Sequence, residues 1–172
     1  MRRFLLALAL SALVAAPAGA AWRKAESPHF IVYSEGSEAN LHRFAQQLER
    51  FDGLLRMLSP SAVEASSPLK LQIFMIETAG RLERLTGNPS VAGFYRATVE
   101  GPIAVAPAET GVREFTPEVI LFHEYAHHFM FQNFTAAYPG WFVEGYAEFY
   151  ATARIEPDGT IRIGGIPEYR RY

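Results

Sequence analysis

A chain of 172 residues suits one domain and is short for two. With 49% apolar residues, 13% aromatic and a formal charge of −2 without any basic block, it has material for a packed core. The same numbers argue against nucleic acid or an anionic membrane surface as partners. Cysteine is absent, which excludes disulfides and the cysteine-rich zinc folds, so any metal must be held by His and carboxylates.

Residues 1–20 read as a secretory signal peptide. Arg2 and Arg3 precede an apolar run from Phe4 to Ala16, and Ala18-Gly19-Ala20 supplies small residues for cleavage. The run is short for a bilayer span, so an uncleaved anchor is the weaker alternative. This predicts an exported protein, periplasmic or secreted, with no stable membrane anchor after cleavage.

Beyond the signal, His29 to Tyr33 has the aromatic and β-branched character of a strand. Ser37 can cap a helix in which Leu41, Phe44, Ala45, Leu48, Phe51, Leu55 and Leu58 recur at helical spacing, a stripe suited to lie on a sheet. Residues 59–68 are rich in Ser, Ala and Pro and read as a loop. Leu71 to Ile76, apolar on both faces, suits a central strand. A short helix around Arg81 to Leu85 should end at Gly87-Asn88-Pro89, followed by strands near 91–98 and 103–106. Thr116-Pro117-Glu118 has the order of an N-cap, a first-turn proline and a first-turn acid, opening a long helix to about Phe134. Tyr138-Pro139-Gly140 breaks it, and a second helix runs from Trp141 to about Arg154, with Trp141 and Phe142 read as core anchors. Pro157-Asp158-Gly159-Thr160 suits a hairpin turn. The fold class expected is α+β, a small mixed sheet packed by helices, in one domain over 21–172.

Chemistry concentrates in His123-Glu124-Tyr125-Ala126-His127. Helical residues four apart share a face, so both imidazoles can reach one ion. Glu124 lies about 100° round the helix, where it can meet a water on that ion. The pattern alone also fits a helix turned to solvent. Its apolar neighbours Ile120, Leu121, Phe122, Ala126, Phe129 and Met130 favour burial, and buried imidazoles need partners. On the second helix Glu144 can complete a His-His-Glu set with a fourth position for water. Glu148, one turn on, can accept a free ring N–H from His123 or His127, is also suited to replace Glu144 as ligand, and otherwise reads as an exposed helix acid. Gly145 would let the two helices approach closely. His128 reads as second to the ligands or solvated; His29 and His42 read as ordinary strand and helix residues.

The pairing of H-E-Y-A-H with P-G-W-F-V-E-G-Y-A-E-F resembles the two active-site helices of gluzincins, the thermolysin-like and aminopeptidase-like zinc peptidases of the peptidase MA superfamily. It is most similar to exported bacterial peptidase-MA-like proteins, and the specific resemblance spans about residues 116–151. The resemblance implies a zincin-like fold, Zn2+ on His123, His127 and Glu144, Glu124 as catalytic base, and a peptide or protein substrate. It also implies an edge strand that pairs with extended substrate, for which Ile103, Ala104, Val105 and Ala106 are the candidates, with an ordinary internal strand as the alternative. Family members take an oxyanion-stabilising Tyr or His from beyond the third ligand. Here the C-terminal subdomain is expected to be short or missing, and Tyr169 and Tyr172 are the tyrosines available. Two functions follow: a zinc-dependent peptidase, or a zinc-bearing peptide-binding or scaffold module without turnover.

Overall fold

Short β-branched and aromatic runs alternate with amphipathic helices along the chain, and the computed structural model, which describes residues 22–59, 69–113 and 115–166, folds them as α+β. The elements are β1 (Arg23–Glu26), β2 (Phe30–Ser34), α1 (Glu38–Leu58), β3 (Leu71–Thr78), α2 (Ala79–Thr86), β4 (Phe94–Thr98), β5 (Gly101–Glu109), α3 (Pro117–Asn133), α4 (Gly140–Ala151), β6 (Arg154–Ile155) and β7 (Ile161–Arg162). The signal reading over 1–20, most of the loop at 59–68, and Tyr169 and Tyr172 lie outside the described residues. No helix among the described residues is long and apolar enough to cross a membrane.

Five strands form a mixed sheet in the order β1-β2-β3-β5-β4, and β6 and β7 pair as a separate hairpin. The three inner strands are parallel, with Val32 opposite Ile73 and Ile73 opposite Ala104; β1 and β4 run antiparallel at the two edges. Parallel neighbours need crossovers, and α1 supplies the one between β2 and β3. β3 is central, as its two-sided apolar pattern predicts. Leu71, Ile73 and Met75 face the main core with Ala104 and Ala106 of β5. The alternate residue Ile76 joins Leu82 of α2 and Val105 of β5 on the other face.

α1 and α3 cover the main face. The Ser37 hydroxyl accepts the Asn40 N–H at 3.3 Å, and the stripe Leu41, Phe44, Leu48, Phe51, Leu55 is buried behind that cap. Leu58, expected on the stripe, is exposed in the last turn. Phe51 stacks on Phe122 of α3 with centroids 4.1 Å apart and planes 11° apart. α2 ends where Gly87 takes a left-handed conformation, φ 68°, and returns its N–H to the Glu83 carbonyl.

Two expectations need correction. The strand containing Ile103, Ala104, Val105 and Ala106 is not an edge: it is β5, paired on both sides, by β3 and by β4. Its long apolar run is what a doubly covered strand requires. β1, a charged four-residue strand, carries no periodic signal that marks it in the sequence. Trp141 and Phe142 are not core anchors; Trp141 is 77% exposed and Phe142 36%. The buried residues of α4 are Ala147 and Ala151 instead.

Phe51 is fully buried and its ring joins α1 to α3, so Phe51→Ala should lower unfolding free energy by about 3–5 kcal/mol. Urea titration of the two proteins tests this; a loss under about 1 kcal/mol would mean that the stack contributes little.

Candidate metal centre

Helix α3 starts where the sequence predicts. The Thr116 hydroxyl accepts the Val119 N–H at 3.4 Å, Pro117 occupies the first turn, and Glu118 sits at the positive end of the helix. One turn separates His123 from His127, so their rings share a face, with centroids 4.7 Å apart and planes crossed at 85°. Pro139 then starts α4 without a side-chain cap; its carbonyl accepts the Phe142 and Val143 N–H groups. The small buried residues Ala126, Ala147 and Ala151 lie on these two helices. A Cβ on Gly145 would meet nothing within 4 Å, so that glycine is not what permits their approach.

Glu144 returns to the two histidines. His123 Nε2 and His127 Nε2 are 3.1 Å apart, and the Glu144 carboxylate oxygens stand 3.5 Å from the first and 3.6 Å from the second. An ion bound tetrahedrally at about 2.0–2.1 Å would hold its donors about 3.4 Å apart. The three observed separations bracket that length, so the residues fit a small divalent cation. Two neutral imidazoles and one carboxylate are also the donor chemistry zinc accepts. The histidines form the floor, at 20% and 10% side-chain exposure, and Glu144 the rim at 64%. Burial, then the neighbouring His123, holds the His127 pKa below its ordinary value, which keeps a ring lone pair available near neutrality.

Glu124 lines the same open cleft of about 590 Å³. It is 9% exposed. Burial pushes its pKa up to about 7; the Tyr95 N–H opposes the rise and the Glu144 charge adds to it. Gly93 lets the chain entering β4 lie against this region. A Cβ there would fall 2.5 Å from Ile120 Cγ2, 3.0 Å from the Val105 carbonyl and 3.5 Å from Glu124 Cγ.

Glu148 is half-buried and lines the cleft beside Glu144. It does not serve His127, whose buried Nδ1 has no hydrogen-bond partner among the described residues. His128 is turned away from the ligand face, and its Nδ1 lies 3.2 Å from the Tyr95 hydroxyl of β4. Burial pushes its pKa down to about 4.

A second group, His29, Glu49 and Asp52, also brings three donors together. Arg56 Nε reaches both oxygens of Asp52, at 2.9 and 2.8 Å, and the Tyr125 hydroxyl donates to it as well. Arg56 already supplies the positive charge there, which argues for an ion-pair cluster rather than a cation site. Sequence reading placed His29 as an ordinary strand residue; its Nδ1 lies 2.8 Å from Glu49. Asp52 was missed, and its signal was an acid on the apolar side of the α1 stripe, one turn before Arg56. His42 is exposed, 3.8 Å from Glu38.

Saturating zinc at 100 times its dissociation constant should raise unfolding free energy by about 2.7 kcal/mol. His127→Ala should abolish that gain, and an unchanged thermal midpoint of the unmutated protein with excess zinc would remove the metal centre. His128 predicts a separate pH effect. Its folded pKa of about 4 lies below the ordinary 6.5, so the fold favours the neutral ring. That contribution is complete above pH 6.5 and is lost as pH falls through 4. His128→Gln should flatten the urea midpoint against pH in that window; parallel curves would contradict it. The sequence matches no protein-family model and no curated protein, so the functional reading rests on the residues and their geometry.

Proposed function

We propose that the chain is a zinc-dependent peptidase with a zincin-like arrangement of its two site helices, acting on peptide or protein substrates after export. The observation that carries this reading is the convergence of His123, His127 and Glu144 at tetrahedral spacing, with Glu124 in the same cleft. Zinc, held by those three residues, would supply Lewis acidity that activates water near neutral pH and polarises a carbonyl.

The chain's own residues supply the proton transfers. Glu124 takes a proton from the attacking water as the new C–O bond forms, then gives it to the amine nitrogen as the C–N bond breaks. A carboxyl with a pKa of about 7 suits both halves, because neither protonation state is strongly disfavoured at neutrality. Glu144, exposed at the rim, would serve as a metal ligand. Two like groups thus take different roles from their surroundings.

Peptide recognition falls to β4 rather than β5. β4 ends the sheet, with a strand on one side only among the described residues, and Phe94 and Tyr95 line the cleft. An extended substrate pairing with that edge would lie across the two histidines.

Glu124→Gln should retain zinc and its thermal stabilisation while peptide-library cleavage falls by a factor of about 100 or more. Cleavage at the unmutated rate would remove Glu124 as the base. Zinc bound and peptides bound, but none cleaved by the unmutated protein, would favour the binding module over the enzyme.

A further inference from the structure

Tyr125 occupies the middle of the motif, two positions from each histidine, and so projects about 200° round the helix from either. It is 3% exposed, packs its ring edge-on to Phe30 at 5.0 Å, and donates its hydroxyl hydrogen to Asp52 of α1. Asp52 is itself held. It is 2% exposed, both oxygens receive Arg56 Nε, and His29 Nδ1, just before β2, stands 3.5 Å away. The back of the metal-binding helix is therefore tied by a directional bond to an acid of α1 that Arg56 of the same helix and His29, just before β2, both approach.

Direction matters because of lever arms. The apolar contacts around α3 are non-directional and only weakly resist a small turn of the helix about its axis. An imidazole nitrogen about 7 Å from that axis moves about 1 Å for a turn of about 10°, whereas metal–ligand distances tolerate about 0.2 Å. A hydrogen bond on the opposite face opposes that turn, since it weakens as its angle departs from linearity.

We infer that Asp52 is a positioning residue for the metal centre, acting through the Tyr125 hydroxyl to set the rotation of α3. The inference rests on the metal-centre reading given above. It assigns Asp52 a task that its ion pair with Arg56 does not explain, and it gives the tyrosine inside H-E-Y-A-H a role apart from the ligands.

The test compares Tyr125→Phe and Asp52→Ala with two controls. Asp52→Asn keeps an oxygen to accept from Tyr125. Leu82→Ala opens the core under α2, on the far face of the sheet, and leaves α3 alone. Zinc dissociation constants come from competition with a chelating dye, ligand geometry from the visible spectrum of the Co2+ form, and fold stability from apo thermal midpoints. Tyr125→Phe and Asp52→Ala should bind zinc about tenfold more weakly and shift the Co2+ bands. Asp52→Asn and Leu82→Ala should stay within about threefold of the parent, whatever their midpoints. If Asp52→Ala does not fold, Tyr125→Phe, which loses one oxygen and no packing volume of note, carries the comparison. A parental zinc constant and Co2+ spectrum in Tyr125→Phe would overturn the inference, as would an equal loss of affinity in Leu82→Ala. A parent protein that binds no zinc would instead overturn the metal-centre reading, a distinguishable result.

Discussion

Everything at the site depends on two helices that bring three polar donors within 3.1 to 3.6 Å of one another on otherwise apolar surfaces. Such a convergence is costly by itself. Imidazoles at 20% and 10% exposure lose much of their hydration, and the contact between their two rings recovers only part of it. A cation shared among all three would offset that cost. Placing the partner on α4 requires the Pro139-Gly140 break and small side chains at Ala147 and Ala151, since bulkier ones on the buried stripe would hold the helices apart.

The surroundings then divide the labour. Glu124 and Glu144 are the same residue type, yet one is buried and raised toward neutrality while the other stands at the rim. Desolvation is what raises the buried Glu124. The main-chain N–H of Tyr95 reaches Glu124 from β4, so the edge strand holds the buried acid as well as lining the cleft. Gly93 makes this possible, because any side chain there would strike Ile120 and Val105.

The helices and their limits were largely legible in the chain. Ser37 and Thr116 announced the starts of α1 and α3, Gly87 the end of α2, and the apolar periods of α1 and the run of β3 gave burial correctly. These signals are local: a cap, a left-handed turn, a stripe of one period. Reading failed where burial depends on what lies alongside. Trp141 and Phe142 have the composition of core residues and point outward, because α4 buries only its small face. β5 could be read as an edge or as an ordinary internal strand, and edge status belongs to strand order: no pattern within residues 103–106 encodes the arrival of β4, which makes it internal.

By itself the sequence determined which metal-binding residue types the chain offers and one pair of positions: four-residue spacing on a helix puts His123 and His127 on one face whatever the rest of the fold does. It also determined that no thiolate could take part. Only the tertiary structure showed that Glu144, already a candidate in the sequence, lies within 3.6 Å of both histidines, that β4 and not β5 borders the cleft, and that Tyr125 bonds Asp52, 73 positions before it. The reason is one of range. Helical geometry fixes neighbours within a turn or two, whereas contacts between elements depend on packing choices that local residue patterns leave open.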